Sequence, residues 1–556
     1  MAQVVDRNEN SQTEYGKDNP TSCTSTDNVE EPLQQESLEQ SPSWLTGWRL
    51  HLTTVGVLLC LYLVNIEVTI VSTSLVTIVD DLLGFDRSSW VITSYLVTYT
   101  GFIIIWSKFS DVAGRKVAIC STMVTFIAFS AGCGASKTMT ELITFRALQG
   151  IGAAGTYSMS ILAVYDMVPM AKLGLYGALI SVTIALATLT GPIFGGLFAR
   201  SLNWRWVFYL NLPSGALAVI LLIIAMPRHF GSHSHSSSSI LKIFSRKSIR
   251  RLDFVGAFFL LAASLLLVTA LSEASTRYSW ASGVIIALLV LSALSWPAFL
   301  LWEWHVTKAE RPEPIFPWRF FKSRSWLAML IITFLVGVPF NVIAISLPQR
   351  FQVVSQTSAL GAGIRLIPYS TVAAVCSAIA NIACSKGKIP PIYLLMLGAV
   401  LQTVGLALFT TLPKSGTFIT AGYGYEVLAG AGIGTTFGIL ILTTPFVVEK
   451  RDLAVATGAI IQLRFLGGAI GLAIASTVLN SLLKKHLHGI ISDSDISSLM
   501  QSTEIIATFS PEMQEQIREI FADSYDSQFK IMIGFAAAQI PVSALLWQKG
   551  KQLKTG

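Results

Sequence analysis

The chain has 556 residues, 52% hydrophobic and 13% charged, with a formal net charge of +7 and a mean hydropathy of +0.61. Soluble domains carry roughly 25% charged residues, so this composition excludes an ordinary soluble enzyme or a string of water-exposed domains. The positive charge does not mark a nucleic-acid binder, because the lysines and arginines sit in short segments between apolar runs, where they set membrane topology.

In chain order, Met1 to Ser43 is polar, acidic and rich in Ser, Thr, Gln and Asn. It lacks the apolar stretch of a cleavable leader, so residues 1–48 are expected to form a disordered tail. Fourteen apolar runs follow, at 52–79, 91–110, 117–136, 142–164, 174–199, 205–226, 254–274, 281–303, 326–347, 361–383, 391–412, 420–446, 453–481 and 528–547. Each approaches the roughly 20 residues that cross about 30 Å of hydrocarbon as a helix. Basic residues collect on one side: Arg115 and Lys116, the run from Arg228 to Arg251, Lys308 to Arg324, Lys386 and Lys388, Lys450 and Arg451, and Lys549 to Lys554. The positive-inside rule makes that side, and with an even span count both termini, cytoplasmic. The segment 227–253 contains a Ser/His-rich stretch in which His233 and His235 lack further fixed ligands, so it reads as a linker and no metal is expected. The segment 484–527 is amphipathic, with Met513, Ile517, Ile520 and Phe521, and is expected to pack on the outer rim. Six scattered cysteines have neither metal nor redox spacing and read as packing residues.

Several residues carry chemistry. Glu67 in span one is a carboxylate inside an apolar helix near mid-membrane, able to load and release a proton, with Asn65 and Thr69 beside it. Ser107 to Lys116 holds Asp111, Gly114 and Arg115, a carboxylate able to accept from an arginine or a helix N-terminus, a turn glycine and a cation. Arg146 lies inside span four, where an unpaired cation costs several kcal/mol. In span five, Gly191, Pro192 and Gly195 combine a small-residue face for close packing with a helix-kinking proline. Arg365, Glu426 and Arg464 are ionisable residues within apolar spans of the second half and are expected to face a central cavity. Asn65, Gln149, Tyr157 and Gln462 complete the expected cavity lining.

These segments carry a resemblance. Ser107 to Lys116 resembles the loop signature of major facilitator transporters between spans two and three, with Ser107 in place of its first glycine. Arg146-Ala-Leu-Gln149-Gly150-Ile-Gly152 resembles the superfamily's second signature. Thr190-Gly191-Pro192-Ile-Phe-Gly195-Gly196 resembles its antiporter signature, with Ala187 where an upstream glycine is expected. Asn65-Ile-Glu67-Val-Thr69-Ile-Val71 resembles a Leu-Asp-x-Thr-Ile-Val pattern, glutamate replacing aspartate. The chain thus resembles the fourteen-span drug:proton antiporters, and the wording of its first spans is similar to fungal multidrug and secondary-metabolite exporters.

The resemblance implies an all-α integral membrane protein of the major facilitator fold, two six-helix bundles (49–226 and 326–547) with two inserted helices (254–303), linkers at 227–253 and 304–325, and a tail at 548–556. It implies that Glu67 and Arg146 couple protons, that Asp111, Gly114 and Arg115 gate the cytoplasmic side, and that the antiporter helix marks an exporter. A small amphipathic organic substrate, protons and the lipid bilayer are the expected partners, with no nucleic acid, no cofactor and a monomeric chain. The expected location is the cell membrane, with the vacuolar membrane as alternative. A proton-coupled importer of a nutrient or iron chelate on the same fold and a non-transporting membrane sensor are the rival functions. An enzyme is not expected, since no nucleophile, base or metal cluster appears.

Overall fold

The computed structural model describes residues 44–82, 88–201, 203–227, 230, 253–274, 278–309, 314–386, 389–414, 419–492, 494–496, 499 and 503–547. Most of the expected N-terminal tail, nearly all of the 227–253 linker and the 548–556 tail lie outside these residues. Among the described residues, fourteen principal helices follow one another: α1 (Gly47–Asp81), α2 (Ser88–Ala113), α3 (Arg115–Ala135), α4 (Met139–Met167), α5 (Leu173–Ser201), α6 (Asn211–Ala225), α7 (Phe254–Ala274), α8 (Gly283–Ala309), α9 (Arg324–Val353), α10 (Ile367–Ser385), α11 (Pro391–Phe409), α12 (Ala421–Val447), α13 (Leu453–Leu487) and α14 (Pro511–Ala544). A one-turn helix, Trp206–Tyr209, leads into α6, and a two-turn helix, Ala359–Arg365, into α10.

Local signals set the helix starts. The Thr138 hydroxyl accepts from the Glu141 N–H at 3.2 Å while the Glu141 carboxylate accepts from the Lys137 N–H at 2.9 Å, and the Ser323 and Ser510 hydroxyls cap α9 and α14 by accepting from the Trp326 and Met513 N–H groups. By length and composition α1 to α13, with their leading turns, can each cross a membrane. The fourteenth expected span, 528–547, is the second half of α14, whose 34 residues begin at Pro511. Ile517, Phe521 and Tyr525 are buried along one face of that helix, so residues 511–527 of the amphipathic segment continue into the expected span as one helix.

The packing repeats between halves. In the first half α1 packs on α5 and α6, α4 on α2 and α3, and α3 on α6; in the second, α9 packs on α13 and α14, α12 on α10 and α11, and α11 on α14. The halves meet through α5 against α10 and α2 against α13, which is the same contact generated by a pseudo-two-fold axis. The inserted α7 and α8 pack on each other, and α7 lies on α2 and α13. Phe258, Leu294 and Leu301 on this pair are more than 60% exposed, an apolar surface for lipid.

The connections bearing most of the lysines and arginines lie at one end of the bundle, here the basic end, and the halves close on each other there. Tyr165 Oη donates to the Ile441 carbonyl at 2.7 Å and the Ser181 and Ser377 hydroxyls lie 2.7 Å apart. Gly177 packs against Asn381 and Gly458 against Ser107 so closely that a Cβ on either would meet a side-chain atom at 2.8 and 2.6 Å. The α2 to α3 reversal occurs at the same end in one residue, Gly114, with φ 88 and ψ 149, a conformation essentially confined to glycine. Gly114→Ala is expected to cost about 1–3 kcal/mol and to lower the melting temperature of the protein in detergent. Gly196→Ala, where an added Cβ meets no atom within 4 Å, is expected to leave it unchanged or slightly raised. Equal melting of Gly114→Ala and wild type would contradict this backbone conformation.

Candidate functional site

Glu67 and Arg146 form an ion pair whose side chains are 0% and 1% exposed, with Arg146 Nη1 donating to Glu67 Oε1 at 2.7 Å. Burial of two charges is costly unless their remaining donors and acceptors are also met, and neighbouring helices meet them. Arg146 Nε donates to the Val91 carbonyl at 3.0 Å and Nη1 to Gln149 Oε1 at 2.7 Å. Asn211 Nδ2 donates to Glu67 Oε2 at 2.6 Å, and Gln149 Nε2 donates to Ser130 Oγ at 2.7 Å. The guanidinium also lies 4.3 Å from the Tyr95 ring centroid and 5.8 Å from that of Phe208, a cation–π arrangement. Five helices, α1, α2, α3, α4 and α6, therefore meet in one network around this ion pair.

Glu67 is the twenty-first of the 35 residues of α1, in the middle third of that helix and on its half toward the end of the bundle opposite the basic one. Arg146 sits two turns into α4 from the same end. Ser130, Tyr95 and Asn211 were not among the expected site residues; a lone serine or tyrosine in an apolar helix carries no pattern of its own, whereas Asn211, an amide in an otherwise apolar run, offers a signal that could have found it.

The Gly191 to Gly195 face presses on the helix that carries Glu67. A Cβ on Gly191 would collide with the Thr69 side chain, and one on Gly195 would lie 2.7 Å from the Ile70 carbonyl. Ser74 Oγ donates to the Gly195 carbonyl at 3.1 Å, and the Tyr62 and Thr190 hydroxyls lie 2.8 Å apart. Pro192 falls between the two glycines in α5. Beyond them, Asp81 at the end of α1 accepts from Trp204 Nε1 at 2.8 Å and Arg205 Nη1 at 3.0 Å. These bonds, Trp204's first, hold its carboxyl below the usual carboxylate range.

At the basic end, Arg115 Nη1 donates to Asp111 Oδ1 at 2.7 Å and to Ser110 Oγ at 2.5 Å, and its Nε donates to Asp166 Oδ2 at 3.1 Å. The cation thereby ties the α2 to α3 turn to the end of α4. Lys116 Nζ donates to the Ile223 and Met226 carbonyls at 2.7 and 2.5 Å, a cation on the C-terminus of α6. In the second half, Arg319 makes a two-armed bond to the buried Asp452 at the start of α13, a related clasp at the same end.

A cavity lies between α5 and the second half, walled by α5, α9, α10, α12 and α13. Of the residues expected to line it, Arg464 does so, and Tyr157, whose hydroxyl accepts from Arg464 Nη2 at 3.4 Å, touches it through that bond. The others are placed elsewhere. Gln149 is drawn into the Arg146 network, and Asn65 donates to the Leu61 carbonyl of its own helix at 2.6 Å. Gln462 is buried two residues from Arg464, and that spacing puts it on another face of α13. Arg365 ends the separate helix Ala359–Arg365 and donates to Thr357 Oγ1 at 2.7 Å.

Glu426 is fully buried in the second turn of α12. Gly150 packs on the Tyr95 carbonyl and Gly152 on the Phe126 amide; Gly430 packs on the Tyr369 carbonyl and Gly432 on the Gln402 amide. Glu426 and Arg146 each precede the first of these glycines by four residues, so the pseudo-two-fold places them at equivalent positions.

Removing one partner of a buried ion pair costs about 3–5 kcal/mol because the other is left uncompensated. Arg146→Gln is therefore expected to melt well below wild type, while Glu67→Gln/Arg146→Gln recovers a large part of the loss. A double variant as destabilised as the sum of the two single ones would contradict direct coupling.

The sequence pattern that defines the Major Facilitator Superfamily matches residues 57–311. The chain is 42% identical over 505 residues to the MFS-type transporter FPY5 of Fusarium mangiferae, covering 91% of this chain and 84% of that one. It is 28% identical to the MFS-type efflux pump MFS1 of Trichophyton rubrum, over 92% and 94% of the two chains. Among solved structures, the human organic anion transporter MFSD10 superposes with a TM-score of 0.56 at 14% identity, covering 88% of this chain and 99% of that one, a likeness of fold alone. The repeated six-helix packing, the inserted pair and these relatives lead to one assignment: the chain belongs to the major facilitator superfamily and is a multi-pass membrane transporter.

Proposed function

We propose that this transporter exports small organic molecules, of the kind represented by drugs, toxins or secondary metabolites, in exchange for protons by alternating access. The observation that carries the reading is the buried Glu67–Arg146 pair, sealed by Asn211 and lying beside the Gly191 to Gly195 face of α5. The names of relatives described as efflux pumps agree in direction. The positive-inside rule assigns the basic end to the cytoplasm, so the closed end is the cytoplasmic one and Glu67 lies toward the outer side of the cell membrane, with both termini inside and the chain acting as a monomer.

A proton arriving from outside neutralises Glu67 and ends its attraction for Arg146. Asn211 and Arg146 then lose a charged acceptor, and α1 is released from its fixed register against α4 and α6. Because α5 is seated on α1 at Thr69 and Ile70, the movement reaches the cavity wall. The clasp of Arg115 with Asp111 and Asp166 opens and closes the cytoplasmic end, and loss of the proton toward the cytoplasm restores the pair.

Cells expressing the chain and preloaded with fluorescent amphipathic dyes are expected to lose dye faster than control cells, and a protonophore that leaves ATP intact is expected to abolish the difference. Glu67→Gln is expected to reach the membrane and to lower proton-driven efflux at least about tenfold, the scale of losing one charge-assisted interaction of about 1.4 kcal/mol or more. Dye accumulation in expressing cells would favour an importer, and normal pumping by Glu67→Gln would remove Glu67 as the proton carrier.

A further inference from the structure

Among the described residues, the fully buried arginines are matched by acids: Arg115 by Asp111 and Asp166, Arg146 by Glu67, Arg350 by Asp526. Arg464, half-buried on the wall of the cavity, differs. Among the described residues no carboxylate lies within ion-pair distance of it, its Nε has no hydrogen-bond partner, and its one hydrogen bond is the 3.4 Å contact with the neutral Tyr157 phenol. Aromatic faces surround it instead, with ring centroids of Phe437 at 4.4 Å, Phe465 at 4.5 Å, Phe340 at 5.5 Å and Tyr157 at 6.0 Å. Quadrupoles orient and partly stabilise the guanidinium, yet they leave most of its five N–H donors unused.

Arg464 is also the one charged residue among those lining the cavity between α5 and the second half. The rest of that wall is apolar or neutral, with Phe340, Phe437 and Tyr369 offering rings and Ser181, Thr188 and Ser377 offering hydroxyls. A guanidinium on the wall of a cavity whose other lining residues are all uncharged is placed to complete an ion pair with an anion that enters the cavity. The planar guanidinium fork fits a carboxylate or an enolate with two parallel bonds, and the flanking rings suit a flat conjugated body.

We infer that the substrate of this transporter is an organic anion, a carboxylate or acidic enol on an aromatic or conjugated apolar skeleton, whose charge is taken by Arg464. The inference rests on the export reading only for the direction of movement; the binding preference stands without it. An organic cation would bring like charge against Arg464 and leave the fork unfilled, so it is excluded from the tight-binding class. Arg464 is thus a specificity-determining contact, and Tyr157 positions it.

The test is binding by the full-length protein in lipid nanodiscs, with no proton gradient, of three compounds on one skeleton: 9-anthracenecarboxylate, 9-anthracenecarboxamide and 9-anthrylmethylammonium, at a pH where the acid is ionised and the amine protonated. Wild type is expected to bind the carboxylate about tenfold or more tightly than either other compound, Arg464→Lys to keep part of that preference, and Arg464→Gln to lose it. Wild type that binds none of the three, or binds the ammonium compound as tightly as the carboxylate, overturns the inference. So does an Arg464→Gln protein that elutes as a single monodisperse species and keeps the preference; should that variant not fold, the wild-type ranking decides. A carboxylate preference in nanodiscs together with inward, or proton-independent, movement of the same compound in vesicles would defeat the export reading and leave the anion site standing.

Discussion

The Glu67–Arg146 pair is the interaction on which the first bundle depends, because two opposite charges removed from water are tolerable only at full satisfaction. That demand explains why the polar residues of five helices meet there: Val91 lends a carbonyl from α2, Ser130 a hydroxyl from α3, Gln149 an amide from α4, and Asn211 an amide from the first residue of α6. None of these groups is at liberty to move while both charges persist. The same rigidity makes the pair switchable, since neutralising one partner removes the reason for the whole arrangement.

The link from this pair to the cavity runs through close backbone approach. Thr69 and Ile70, two and three residues past Glu67, are the positions on which Gly191 and Gly195 rest, and α5 walls the cavity from Gly177 to Thr188. Interfaces of small residues packed at this distance slide or separate but do not compress, so a shift in α1 is passed on as a shift of α5. At the basic end, the Ser181 to Ser377 and Tyr165 to Ile441 contacts are the ones such a shift must break for the halves to rock.

The sequence made the span pattern, the turn at Gly114 and the isolated ionisable residues readable, because apolar runs, a glycine among charges and an arginine in a lipid-length helix each have a single strong physical cause. The partner of Arg146 was readable only as a class: Glu67 and Arg146 are 79 positions apart, and nothing in either span encodes their registry. Helical phase decided the rest. Gln462 and Arg464 differ by two residues and point to different faces, while Arg365 belongs to a short helix that ends before α10 starts. The pseudo-equivalence of Arg146 and Glu426 was hidden for the same reason, since it appears in which carbonyls the glycines touch and not in which residues the two halves share.

The account turns on Glu67 changing its protonation state as the transporter works. The most direct measurement is the infrared difference spectrum of the protein in lipid, recorded on adding a transported compound, in the region of the carboxylic acid C=O stretch. A band that appears or disappears in wild type and is absent from the Glu67→Gln spectrum is the predicted result. A difference band that persists unchanged in Glu67→Gln would place the moving proton on another carboxylate and contradict the account.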